Sequence, residues 1–194
     1  RWTAAAIDAF FGLLSSPVHT PRLIQAMDAH GLWERLVPEW GHIRGLLPRE
    51  RSHAHTVDYH SILTVARCAE ARTSVPRPDL LLLVALYHDI GKGQDRPHCL
   101  VGAEMVARAA ARLRLDLADR SRVQTVVAEH TTLARIVSRM DPQSDAARDE
   151  LLEAVRYDYL TLALLVVLAR ADAESTGPGA VSYTHLRAHE TRGN

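Results

Sequence analysis

Apolar residues recur at three- and four-residue intervals along most of this chain, the spacing of one helix face. Ala4–Leu14 places Ile7, Phe10, Phe11 and Leu14 on one side. Ser15-Ser16-Pro17 ends that segment. Thr20-Pro21 predicts a second helix through Ala29, with threonine as N-cap and proline at the first helical position. His30-Gly31 closes it. Leu32–Val37 reads as a short helical turn and 38–51 as irregular. Thr56–Arg72 is the next predicted helix, followed by a loop to Pro78. Asp79 is expected to cap Leu80–Ile90, a helix apolar on all sides and therefore buried. Gly91-Lys92-Gly93 breaks it. Helices are predicted over His98–Leu113, Asp119–Ser138, Ala146–Val155 and Tyr159–Ser175. No segment alternates apolar and polar residues between turn signals. The expected fold class is therefore all-α, a helical bundle of seven to nine helices. Residues 1–50 are expected to form a small N-terminal helical subdomain and 51–180 the main domain. Residues 181–194 read as a disordered or non-native tail.

Composition narrows the setting. The 194 residues are 47% hydrophobic and 24% charged, which suits a soluble domain with a proper core. Net charge is zero with histidines neutral, so no global field attracts nucleic acid or a membrane surface, and neither is expected as a partner. The longest apolar runs, Leu80–Tyr87 and Leu160–Ala169, fall short of the roughly 20 residues a membrane span needs. Cys68 and Cys99 form no CxxC pair, and a reducing, cytoplasmic setting is expected. No signal peptide is visible, and the sequence opens on Arg1, so a fragment of a longer protein is expected.

The chemistry begins where the buried helix ends, in His88-Asp89. A carboxylate buried without a cation, a metal or several donors is costly. An adjacent His and Asp can ligate one metal, or the Asp can bridge two. The pair alone fits equally a helix terminus with a dipole-matched histidine and a solvated aspartate. Further candidate ligands shift the balance. His60 lies one turn into its helix, His98 opens another, and His130 falls within the Asp119–Ser138 segment. Asp172 occupies a core-facing position beside Leu165, Leu168 and Ala169. Gly91 and Gly93 allow a tight turn, and Lys92 would sit beside the site as a mobile positive charge.

The ordered pattern H…HD…H…H…D resembles the HD superfamily of metal-dependent phosphohydrolases. Within it, "HTVDYH" (His55–His60), "LLLVALYHDIGKG" (Leu81–Gly93), "HCLVGAEMVARAAARL" (His98–Leu113), "VVAEHTTL" (Val126–Leu133) and "ARADAESTGP" (Ala169–Pro178) are similar to the uridylyl-removing domains of bifunctional uridylyltransferases. So is the preceding "AMDAHGLWERLVPEWGHIRG" (Ala26–Gly45). The resemblance runs from about Ile7 to Ala180. It implies that His60, His88, Asp89 and Asp172 hold a first divalent metal, and that His98 and His130 extend the set to a second, with Asp89 bridging. Two ions roughly 3.5–4 Å apart clamp phosphate oxygens and activate a water. Mixed His/Asp donors suit Mn, Fe, Co or Zn more than Ca, and Mg stays open too. Asp89 and Lys92 are the residues expected to act in catalysis. The implied substrate is the bacterial nitrogen-regulatory protein PII carrying a uridylylated tyrosine, and UMP is the product. The family's nucleotidyltransferase and ACT domains are not in this sequence.

Other residues read as follows. Arg96, Arg135 and Arg139 are candidates for phosphate or uridine contacts, against an ordinary role as solvated charges. His55 and Asp58 are candidates for orienting His60. His19, His30 and His42 read as helix-edge histidines, and Trp33 and Trp40 as packing for the N-terminal region. Cys68 and Cys99 read as small buried or half-buried side chains. His185, His189 and Glu190 have metal-like spacing, but sit in the tail and are discounted. Two rival functions stay open: an HD-type hydrolase of a free nucleotide, and a non-catalytic regulatory module. Every ligand position is filled, which argues against the second.

Overall fold

The structure, a computed structural model, describes residues 2–48 and 54–177. The expected tail at 181–194, with His185 and His189, lies outside the described residues. Ten α-helices and two short 3₁₀ turns make up the described residues, with no strand among them. The all-α expectation is met.

The N-terminal helices are α1 (Ala4–Leu14), α2 (Thr20–Ala29) and α3 (Trp33–Leu36), with a 3₁₀ turn at Pro38–His42 where the sequence reads as irregular. Thr3 caps α1 by accepting from Ala6 N. Thr20 is not the N-cap of α2. It is the first helical residue, and its hydroxyl turns back to donate to the Leu13 carbonyl, tying α2 to the end of α1. Phe10, Trp33 and Trp40 are buried together, with Trp33 edge-on to Trp40 at 5.8 Å.

The main bundle follows: α4 (Val57–Glu70), α5 (Pro78–Tyr87), α6 (His98–Arg112), α7 (Leu117–Glu129), α8 (Thr132–Arg139), α9 (Asp145–Ala154) and α10 (Tyr159–Ser175). Helix α5 is its axis. Every residue from Leu80 to Tyr87 is buried, as an all-round apolar helix requires. Asp79 is not its cap. Pro78 occupies the first turn, and Asp79 instead pairs with Arg77, which also contacts Asp119 of α7. The segment expected as one helix from Asp119 to Ser138 is two, because the chain leaves α7 at His130-Thr131. Consecutive threonines are weak helix formers, and the break puts His130 at a helix end.

One continuous apolar cluster runs from Phe10 and Trp33 through the α5 leucines to Leu164, Leu165 and Leu168 of α10. The N-terminal helices share this core. Glu39 accepts hydrogen bonds from the Tyr87 hydroxyl at 3.1 Å and from Arg112 at 3.1 and 3.2 Å, joining the 3₁₀ turn to α5 and α6. Among the described residues, no helix is long and apolar enough to cross a membrane.

Candidate metal centre

Helix α5 ends one residue before His88, and the chain then turns through Asp89, Ile90 and Gly91. His88 and Asp89 are 0% and 3% exposed, so an imidazole and a carboxylate sit inside the apolar bundle. The turn is held from two sides. His42 Nε2 donates to the Ile90 carbonyl at 2.6 Å, reaching in from the N-terminal 3₁₀ turn. On the other side, Gly91 packs against the start of α6. A Cβ there would lie 2.2 Å from the His98 carbonyl and 2.7 Å from Gly102 N, so no larger residue fits. That contact sets His98 over Asp89. Gly93 has φ +83°, a left-handed conformation that glycine adopts without strain.

Four other helices deliver the remaining groups. His60 comes from α4 and Asp172 from α10, with His60 Nε2 at 2.8 Å from Asp172 Oδ1. His88 Nε2 is 3.3 Å from His60 Nε2 and 3.6 Å from Asp172 Oδ1. These three make one group of converging donors. His98 opens α6 and His130 follows α7, their Nε2 atoms 3.4 Å apart. Asp89 lies between the two groups. Its Oδ2 faces His88 at 3.5 Å and His60 at 3.7 Å; its Oδ1 faces His130 at 3.6 Å and His98 at 3.7 Å. Lys92 Nζ is 2.8 Å from Asp89 Oδ2.

The tautomers suit ligation. His88 Nδ1 donates to the Ala85 carbonyl and His130 Nδ1 to the Val127 carbonyl, each at 2.8 Å. His60 Nδ1 faces the Ser175 carbonyl at 3.4 Å. A histidine whose Nδ1 is bound this way turns an Nε2 lone pair inward, as metal-ligating histidines do.

The electrostatics are those of a cation site. Burial raises the Asp89 carboxyl, but His88, His130 and Lys92 outweigh it and hold the group well below the usual carboxylate range. Asp172 is likewise lowered against its burial, by hydrogen bonds to His60 and His88. Burial works against a charged His130, yet its hydrogen bonds to Asp89 and Cys99 push the ring up to about 10. His60 rises for the same kind of reason, chiefly through Asp172. A buried carboxylate that stays ionised, with a second, half-buried one beside it, demands positive charge. Protons on the rings supply it when nothing else does; a divalent ion competes for the same place. Imidazole and carboxylate donors in this number fit such an ion.

All six expected ligand residues thus converge, and Lys92 joins them. The three arginines do not. Arg96 pairs with Glu104 at 2.5 Å, Arg135 with Glu150 at 3.1 Å, and Arg139 is exposed at the end of α8. The His55 ring packs edge-on against Tyr59. Asp58 Oδ1 is buried without a hydrogen-bond partner among the described residues. Sequence reasoning missed two residues. His42 reads as a helix-edge histidine, yet it braces the His88-Asp89 turn from 48 positions away. Cys99 reads as filler, yet its Sγ is 3.5 Å from His98 Nε2. Burial raises its thiol, but hydrogen bonds to His130 and His98 outweigh that and bring it down to about 6. The adjacency of Cys99 to His98 was the available signal; nothing in the sequence singles out His42.

Comparison with known proteins gives the same outline. The HD domain family model matches residues 57–176. A bifunctional uridylyltransferase/uridylyl-removing enzyme of Corynebacterium glutamicum is 61% identical over 178 residues, covering 92% of this chain and 26% of that protein. Proteins of the same description from Mycobacterium tuberculosis and Streptomyces coelicolor are 40% and 39% identical, covering 92% and 93% of the chain and 22% of each relative. The chain spans about a quarter of the length of these relatives.

Proposed function

The chain belongs to the HD-domain family, and on that footing we propose that it is a metal-dependent phosphodiester hydrolase that removes UMP from uridylylated PII. The observation that carries this reading is the position of Asp89, with one carboxylate oxygen toward each histidine group. The names of the Corynebacterium, Mycobacterium and Streptomyces relatives support a uridylyl group as what is removed; PII as its carrier is part of the proposal.

His60, His88 and Asp172 would hold one divalent cation and His98 and His130 a second, with Asp89 between the two groups. Cations held there would supply Lewis acidity toward phosphoryl oxygens and lower the pKa of water. The protein's own part is to fix that geometry. The bonds from His88 and His130 to backbone carbonyls hold both rings in one tautomer, and the bundle keeps bulk water from Asp89. The Lys92 ammonium, beside Asp89, faces charge developing on the phosphoryl oxygens. The water oxygen bonds to phosphorus as the bond from phosphorus to the tyrosyl oxygen breaks. The water's hydroxyl ends on UMP, and its other proton reaches the departing tyrosyl oxygen. Arg96, Arg135 and Arg139 are the basic residues proposed to meet the uridylyl phosphate or the docked protein. Arg96 and Arg135 must first release Glu104 and Glu150, and exposed pairs of that kind cost little to open. A reducing cytoplasm is the proposed setting, in keeping with two free thiols.

The test measures bound metal and UMP release for wild type and Asp89→Ala, on uridylylated PII and on free nucleotides. Wild type is expected to carry metal and to release UMP from PII, and Asp89→Ala to lose at least about 100-fold in rate. Full metal content and activity in Asp89→Ala would sink the mechanism. Hydrolysis of free nucleotides alone would move the substrate to that class.

A further inference from the structure

Cys99 has no part in the scheme above. It follows His98 in the first turn of α6 and is half-buried. Its Sγ is 3.5 Å from His98 Nε2, and the ligand atoms of His98, Cys99 and His130 all lie within 4.8 Å of one another. His98 Nε2 and His130 Nε2 are 3.4 Å apart, and Asp89 Oδ1 is 3.7 and 3.6 Å from them.

These spacings have a chemical meaning. Zinc bonds nitrogen at about 2.0–2.1 Å and sulfur at about 2.3 Å, so tetrahedral coordination separates two nitrogens by about 3.3–3.4 Å and a nitrogen from a sulfur by about 3.5 Å. The His98–His130 and His98–Cys99 separations fall on those edges. A second observation comes from His130. It is 4% exposed, its Nδ1 is committed to the Val127 carbonyl, and its Nε2 points into the group. Two imidazole nitrogens and a sulfur therefore converge, with a carboxylate oxygen facing both nitrogens. The His60–His88–Asp172 group contains only nitrogen and oxygen donors.

We propose that Cys99 is a thiolate ligand of the second cation, completing a set with His98, His130 and Asp89 Oδ1. The two halves of the centre are then unlike. The Cys99 half selects zinc or another borderline-soft divalent ion, and the Asp172 half accepts harder ones, because thiolate donors favour softer metals. This inference rests on the metal-dependent reading above.

Cobalt(II) titration of the metal-free chain tests it, followed by absorption and by metal analysis. Wild type is expected to take up two equivalents, one of them with a near-ultraviolet thiolate-to-cobalt charge-transfer band. Cys68→Ala should keep the band, since that thiol is buried elsewhere in α4. Cys99→Ser should lose it and bind the second equivalent at least about tenfold more weakly; disturbing partners outside the ligand set already costs 10–100-fold. Two equivalents without the band in wild type, or a band that survives Cys99→Ser, would overturn the assignment of Cys99 alone. Failure to bind any cobalt would overturn the metal centre and this inference together.

Discussion

His88 and His130 are held by the same local device on two different helices: each is the residue after a helix's last turn, and each ring Nδ1 donates to the carbonyl three residues earlier at 2.8 Å. The pair face each other edge-on, with ring centroids 5.4 Å apart, and Asp89 reaches both. Substitutions should therefore separate the two halves of the centre. Asp172→Asn and His60→Asn are expected to lower bound metal from about two ions per chain to about one, and His98→Asn to do so from the other side. Asp89→Asn should remove both. Metal analysis after dialysis reads the difference. Full loss in Asp172→Asn with retention in Asp89→Asn would mean that Asp89 does not bridge.

The raised His130 pKa gives metal uptake a pH dependence. Below about 10 the ring of the metal-free chain holds its proton, whereas a ligand must present a lone pair. Binding at pH 7–8 is therefore expected to release about one proton from this ring. Affinity should rise with pH, by up to about tenfold per unit for each proton displaced, and level off near the ring's own pKa. Calorimetry in buffers of different ionisation enthalpy counts that proton. Uptake with no net release would show that His130 is not a ligand.

Gly91→Ala should damage the centre without touching a ligand. The new Cβ would meet the His98 carbonyl and Gly102 N, both backbone atoms that cannot turn aside. Overpacking of this kind costs about 1–3 kcal/mol, or roughly 2–12 °C in melting temperature for a domain of this size. Metal affinity should fall with it, since His98 is carried on the displaced strand of backbone. Gly12→Ala is the control, because nothing lies within 4 Å of a Cβ there. Equal behaviour of the two variants would show that the close approach at Gly91 is unimportant.

Asp158 couples stability to pH far from the metals. It caps α10, accepting from Thr161 N at 2.9 Å and from the Thr161 hydroxyl at 2.7 Å, and it pairs with Arg122 of α7. The bond to Arg122, then those to Thr161, lower its pKa to about 2. The folded value lies below the unfolded one of about 3.9, so the contribution is present above pH 4 and is lost as pH falls toward 2. Asp158→Ala should cost about 1 kcal/mol at neutral pH, and its deficit relative to wild type should shrink in acid. A deficit unchanged between pH 7 and pH 2.5, measured by urea unfolding, would remove the charge from the account.

Much of the fold was legible because helical periodicity and turn residues act locally. The all-apolar run of α5 announces its burial. The two errors at helix starts, at Thr20 and Asp79, share a cause. Each side chain could cap by its type, but a stronger partner was available, the Leu13 carbonyl for one and Arg77 for the other. The break at His130 was hidden because Thr131 and Thr132 are only mildly unfavourable in a helix. In the site, His88-Asp89 and Asp172 stand out as polar groups in apolar surroundings. His60, His98 and His130 are ordinary by local pattern, and the family resemblance picked them out. His42 was invisible because its bond to Ile90 depends on how the N-terminal helices dock, which no local pattern encodes.

That docking sets where the molecule can be divided. The family match begins at residue 57, but the Ile90 carbonyl is held by His42, and the Tyr87 hydroxyl and Arg112 meet at Glu39. A piece cut at the start of that match would keep every ligand. It would lose the buttress behind the turn that presents two of them and leave a buried phenol without its acceptor. The family model and the mechanical unit are different lengths, and the first forty-odd residues work as masonry for a centre to which they contribute no donor.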